Sequence, residues 1–220
     1  MIFANRLKEA AQKDPQLDWP NLSYYAEKNK QLLSSSSFEE RMIFMGDSIT
    51  EEWEKLCPEF FQNEFFINRG IGGQTTPQML VRFRQDVIGL NPKAVFILAG
   101  TNDIAGNTGP SNTEMITNNI FSMAELAVNH GIRTILCSIL PVYKYPWAEH
   151  IENVPETIKD VNLQLEKFST ANDLLYLDYY SSMVDQRCGL KNEYTTDGVH
   201  LSGAGYKVMS NLVNEILKIN

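Results

Sequence analysis

The chain has 220 residues, 43% of them hydrophobic and 21% charged, which suits one ordinary domain with a substantial core. Its formal net charge of −8 argues against nucleic acid, whose phosphates require a basic face, and against steady binding to anionic lipid. Three scattered cysteines (Cys57, Cys137 and Cys188) make no disulfide framework and no Cys-x-x-Cys zinc site, and no run is long enough to span a bilayer.

The opening residues, MIFANRLKEAAQKD, lack the apolar core of a secretory signal. The protein as given is therefore expected to be soluble and cytoplasmic; a leader removed upstream would leave no trace. Two polar helical pieces, Asn5–Gln12 and Ser23–Leu33, are joined by a Pro-containing turn and followed by the serine run at 34–37. They predict an N-terminal helical arm over 1–40, too poor in apolar residues to fold alone and packed on a domain over 41–220.

From Arg41 onward, short apolar runs alternate with helical patterns. MIFM (42–45), FFIN (65–68), AVFILA (94–99), TILCSI (134–139) and LLYLD (174–178) are continuous rather than alternating, as strands covered on both faces should be. Between them, Thr76 reads as an N-cap ahead of Pro77, with Leu80, Phe83 and Val87 inward. Ser111 and Glu114 read as a capping box before Ile116, Ile120, Ala124 and Ala127, and Gly131 ends that helix. Asn153 caps a helix with Val154, Ile158, Val161, Leu165 and Phe168 on one face. Ser202 opens the last helix, with Val208, Met209, Leu212, Val213 and Ile216 turned to the core. Five strands alternating with helices predict an α/β fold, a mainly parallel, flavodoxin-like sheet with helices on both faces. Ligands of such sheets sit beyond the carboxyl ends of the strands.

Four motifs fall on that edge. Gly46-Asp47-Ser48-Ile49-Thr50 follows the first strand, where Ser48 can act as a nucleophile and its backbone N–H can face a developing oxyanion; alternatively Asp47 or Ser48 only caps the next helix. Gly70-Ile71-Gly72-Gly73 allows close backbone approach to a ligand, or only a tight turn, and its spacing is not that of a dinucleotide site. In Gly100-Thr101-Asn102-Asp103, Asn102 can offer an amide N–H to an oxyanion or form an Asx turn, and Asp103 reads as a loop brace. In Asp197-Gly198-Val199-His200, Asp197 can accept the imidazole Nδ1–H and turn Nε2 of His200 toward the serine. His130, at a helix C-terminus, and His150, in a loop, lie away from this edge. A metal would need further ligands of suitable spacing.

FMGDSIT (44–50), NRGIGGQTT (68–76), GTND (100–103) and DGVHLS (197–202), in this order, resemble the SGNH (GDSL-type) hydrolase superfamily. The second and third blocks are similar to its platelet-activating-factor acetylhydrolase-like and bacterial acetylesterase branch. The resemblance implies a three-layer α/β/α sandwich and a serine esterase of short acyl groups, acetyl among them, that needs no cofactor and no metal. Ser48, His200 and Asp197 would be catalytic. The backbone N–H groups of Ser48 and Gly73 and the Asn102 side chain would form the oxyanion hole, with Gly72 as the alternative to Gly73. Asp47, Ile71, Ile104, Tyr143, Trp147 and Val199 are expected to line the substrate site, Tyr143 and Trp147 as a sugar platform, as walls of an acyl pocket, or simply as anchors of their loop. An acetylated sugar or other small ester is the expected partner, with homodimers common among such proteins. An acyltransferase with the same residues, or a non-catalytic carbohydrate-binding or scaffold protein, is the alternative.

Overall fold

A computed structural model describes residues 18–34 and 40–218. The helix expected at Asn5–Gln12 lies outside the described residues. Strands β1 (Met42–Gly46), β2 (Phe66–Gly70), β3 (Ala94–Leu98), β4 (Arg133–Cys137) and β5 (Leu175–Leu177) form one parallel sheet in the order β2-β1-β3-β4-β5. Helices cover both faces, giving the expected three layers.

Side chains on successive strand residues point to opposite faces, and the two cores follow that period. Ile43, Met45, Val95, Ile97 and Leu136 pack with α3 (Thr76–Asp86), α5 (Thr113–Asn129) and α6 (Val154–Ala171). Phe44, Ala94, Phe96, Ile135 and Cys137 pack with α2 (Ser48–Leu56), α7 (Tyr179–Met183) and α8 (Gly203–Lys218). Phe44 stacks on Phe96 at 4.7 Å and Trp53 on Phe60 at 4.6 Å, so aromatic rings meet within the second core. The short α4 (Thr101–Ile104) follows β3 directly.

The register places Gly46 opposite both Gly70 and Leu98, so three strands end level at one edge. Gly70 permits the next step. A Cβ there would lie 2.1 Å from Glu51 N and 2.7 Å from Asp47 O, so only glycine lets the first turn of α2 lie against the end of β2.

Several local expectations shift by a residue or two. The cap of α3 is Thr75, whose N–H donates to Gln78 Oε1 at 3.0 Å, leaving Thr76 inside the helix and Pro77 one position further in. Asn112 rather than Ser111 caps α5, accepting from Met115 N at 2.8 Å, because the Ser111 hydroxyl donates instead to Asp103 O at 2.7 Å. β4 stops at Cys137, two residues early, because Asn162 of α6 takes both backbone groups of Ile139, at 2.7 and 3.0 Å.

Residues 18–34 end in α1 (Ala26–Ser34) and lie against β2 and α3. Tyr25 OH donates to Gly70 O at 2.5 Å, and Asn29 Nδ2 to Asp86 Oδ1 at 2.6 Å. Carbonyls of Trp19, Pro20 and Leu22 accept from Gln78, Gln74 and Gln85. Among the described residues no helix is long and apolar enough to cross a membrane.

Candidate active site

Asp47 caps α2 by accepting Ile49 N–H at 2.9 Å, which leaves Ser48 as the first helical residue at the end of β1. Backbone N–H groups of a first helical turn have no partner within the helix and carry its positive dipole end. Burial pushes the Asp47 carboxyl up to about 7, helped by neighbouring Asp103 and opposed by the Ile49 N–H and the nearby His200.

The base comes from the other end of the chain. Ser48 Oγ lies 3.2 Å from His200 Nε2, and His200 Nδ1 lies 2.7 Å from Asp197 Oδ2. The second Asp197 oxygen accepts the backbone N–H groups of His200, at 2.7 Å, and Val199, at 2.9 Å. Partial burial would raise the Asp197 carboxyl, but the His200 ring and these N–H groups hold it below the usual carboxylate range. Thr195 Oγ1 donates to His200 O at 2.8 Å and steadies the turn that carries the ring.

The loop after β2 enters from the opposite side. Ile71 N donates to Gly46 O at 3.1 Å, tying the loop to the end of β1. Gly72 N–H donates to Glu51 Oε2 at 2.8 Å, and that carboxylate also accepts from Tyr24 OH. Gly73 has φ +74°, the left-handed region that glycine enters without strain, and this turns its peptide groups relative to those of Gly72. Asn102 Nδ2 donates one proton to Gln74 O at 3.0 Å, leaving a second N–H on the same nitrogen.

Asp103 braces the loops. It accepts Thr76 N at 2.9 Å and Thr76 Oγ1 at 2.6 Å, while burial raises its carboxyl to about 6. Under the loop lies Arg82, fully buried and bonded to Gln74 Oε1, Asp86 Oδ2, Gly46 O and Arg69 O. Arg69 in turn donates to Asn29 Oδ1 and stands 4.6 Å above the Tyr25 ring.

The remaining expected site residues divide into two groups. Asp47, Ile71, Ile104 and Val199 are buried, while Tyr143 and Trp147 are 57% and 47% exposed. The Trp147 ring centroid is 5.8 Å from that of His200. Tyr145, between them in sequence, is fully buried, with its hydroxyl 2.9 Å from Thr101 Oγ1, and it fixes the loop after β4 to the loop after β3. Tyr143 lines a cleft of about 390 Å³ with Arg187, Asn192, Asp197 and Gly198. Cys57 and Cys137 are buried, and Cys188 is partly exposed, 3.1 Å from Lys159 Nζ. Among the described residues no group of three or more His, Cys, Asp or Glu could hold a metal ion.

Sequence reasoning did not find Glu51, Gln74, Arg82, Asn107 or Tyr145. The only available signal was polarity at inward helical positions: Arg82 shares a face with Met79 and Asp86.

The GDSL-like lipase/acylhydrolase family model matches residues 44–208. A GDSL-like lipase from Bacteroides thetaiotaomicron superposes with a TM-score of 0.87 at 42% identity, over 90% of this chain and 98% of that one. The platelet-activating factor acetylhydrolase IB subunit alpha2 of Homo sapiens is 23% identical over 88% of this chain and 83% of its own length. The uncharacterized lipoprotein YqeF of Bacillus subtilis is 35% identical over 88 residues, 39% of this chain and 36% of that protein. The chain belongs to the GDSL-like lipase/acylhydrolase family and is a carboxylic ester hydrolase.

Proposed function

We propose that this esterase removes short acyl groups, acetyl foremost, from the hydroxyls of a carbohydrate or similar small alcohol, with Ser48, His200 and Asp197 as catalytic triad. The observation that carries the reading is the continuous Ser48–His200–Asp197 contact, 3.2 and then 2.7 Å, at the carboxyl edge of the sheet.

His200 takes the Ser48 proton as Oγ attacks the ester carbonyl, and Asp197 holds the ring so that Nε2 faces the serine. The carbonyl oxygen gains negative charge and is met by the Ser48 and Gly73 N–H groups and by the free Asn102 N–H, donors fixed before the charge develops. Gly73 is preferred to Gly72 because the Gly72 N–H is already bonded to Glu51. His200 then protonates the departing alcohol oxygen. It next deprotonates a water, whose attack on the acyl-enzyme releases the acid and restores Ser48.

The acetyl preference is supported by the human relative, a platelet-activating factor acetylhydrolase subunit. The alcohol side is assigned to Trp147 beside His200 and to the 390 Å³ cleft past Tyr143, a size and an aromatic face suited to one or two sugar rings. The buried Asp47, Ile71, Ile104 and Val199 shape the floor beneath.

The test is hydrolysis of p-nitrophenyl esters from acetate to octanoate, together with acetylated oligosaccharides, by the intact protein and by Ser48→Ala. Rates that peak at acetate and vanish in the variant support the reading; a maximum at octanoate, or activity kept by Ser48→Ala, overturns it.

A further inference from the structure

We infer that Asn107, an exposed residue on the loop after α4, is a positioning residue that sets the oxyanion hole by holding its two loops in one geometry. The inference rests on the reading of Gly73 and Asn102 as oxyanion donors.

A single side-chain nitrogen makes the connection. Asn107 Nδ2 donates to Asn102 Oδ1 at 2.9 Å and to Gly73 O at 3.2 Å. Its backbone N–H donates to Asn102 O at 3.0 Å, so Asn107 is itself fixed by the residue it orients. A carboxamide has two nearly isosteric orientations, related by a half-turn about its last torsion. At Asn102 these orientations are chemically opposite. As found, Oδ1 faces the Asn107 donor and Nδ2 faces the Gln74 carbonyl, leaving one N–H for a substrate oxygen.

The half-turn would set Oδ1 against the Gln74 carbonyl and Nδ2 against the Asn107 amide. It would also present a lone pair where the charge develops. Both neighbours therefore select one orientation, but they act at opposite ends. The Gln74 carbonyl discriminates through repulsion, whereas Asn107 supplies the attractive bond at the oxygen end. The same Nδ2 group also holds the carbonyl of Gly73, the residue that carries the other donor N–H. One amide thus stands behind both donors.

The loops meet elsewhere too, at Thr75 Oγ1 to Thr108 Oγ1, 3.0 Å, and at Asp103 to Thr76. Those contacts keep the loops together when Asn107 is changed, and Asn107 itself is exposed. Substitution there should alter the aim of the donors while leaving the fold intact.

The experiment compares Asn107→Ala, Asn107→Asp and Asn102→Ala for p-nitrophenyl acetate hydrolysis, with inhibition by phenylboronic acid as a second readout. Boronate adds to the serine oxygen as a tetrahedral anion and so reports on the hole without turnover. Losing an oxyanion donor lowers kcat by about 100-fold or more, which is the change expected for Asn102→Ala. Asn107→Ala should lower kcat by about 10-fold, the smaller share of a group that acts through another. KM should stay within about twofold, and the boronate inhibition constant should rise in step with the fall in kcat.

Asn107→Asp should lose more than Asn107→Ala, because a carboxylate sets an acceptor against Asn102 Oδ1 and favours the half-turn. A thermal midpoint close to the parent's would confirm that the fold is kept. Parent-like kcat in both Asn107 variants, with Asn102→Ala impaired, overturns the inference and spares the oxyanion reading. Parent-like kcat in all three overturns the oxyanion reading itself. Loss in the Asn107 variants alone also overturns the inference, since Asn107 would then act through something other than Asn102.

Discussion

The two walls of the active site are built on opposite principles. The wall formed by the loops after β1, β2 and β3 rests on a buried, tied polar network: Arg82 alone bonds to four different residues, and Asp103 holds Thr76 by two contacts. The wall formed by the loop after β4 exposes Tyr143 and Trp147, held over the buried Val142, Tyr145 and Ala148. Burying polar groups is costly unless each is paired, so the first wall has few alternative arrangements and holds its donors still. The second loses little when a side chain changes, which leaves room for alcohol specificity to vary. The contrast is between groups that meet a charge and groups that meet a shape.

Breaking the first wall at its reacting atom should have the largest effect. Ser48→Ala is expected to lower kcat/KM for p-nitrophenyl acetate by at least about 10⁴-fold, with the far-ultraviolet circular dichroism unchanged. The same wall can be broken from beneath. Arg82→Met removes one partner of a fully buried ion pair with Asp86, and a buried charge left alone costs about 3–5 kcal/mol, measurable as a shift in urea midpoint. A midpoint within error of the parent's would mean that the network is dispensable.

A pH series sharpens the comparison, because the rigid wall carries Asp47. Its carboxyl is raised to about 7 from the ordinary 3.8 by burial, so between about pH 4 and pH 7 the folded chain holds a proton that the unfolded chain has lost. The associated stability is fully present below pH 4 and is lost as the pH rises through 7, at up to about 1.4 kcal/mol per unit. Asp103, raised to about 6, acts with the same sign over a narrower window. Asp47→Asn keeps the acceptor for Ile49 N–H, and its unfolding midpoint should fall less steeply between pH 5 and 7 than that of the parent. Parallel curves would refute the assignment.

The smallest effect is expected on the second wall. Trp147→Ala should raise KM for an acetylated oligosaccharide by a few fold, about 1 kcal/mol of lost contact, and barely change kcat for p-nitrophenyl acetate. Equal losses on both substrates would instead place Trp147 in support of His200.

The strands, the sheet class and the four motif loops could be read from the sequence because each is a local pattern. A continuous apolar run, a Gly-rich turn or an Asp three residues before a His is visible within ten residues. The cap of α5 was misplaced because Ser111 and Asn112 are both good capping residues, and the choice depends on Asp103, whose carbonyl takes the serine hydroxyl. Arg82 gives only the faint sign of sharing a face with Met79, since most of the acceptors that let it be buried come from residues 46, 69 and 74. Asn107 gives no sign at all: its importance lies in facing two loops that only the fold brings together.

The separation of Ser48 from His200, 152 residues, also orders events in time. A chain emerging from the ribosome presents its first strands, its nucleophile and its Gly-rich loop early, with Tyr24 and Tyr25, just before α1, already synthesised. The base follows the nucleophile only after another 152 residues. Contacts of such sequence separation carry the highest closure entropy and form late. A chain made only as far as β5 therefore holds a serine with no base to activate it, and hydrolysis begins only once the Asp197–His200 turn has been made and has docked.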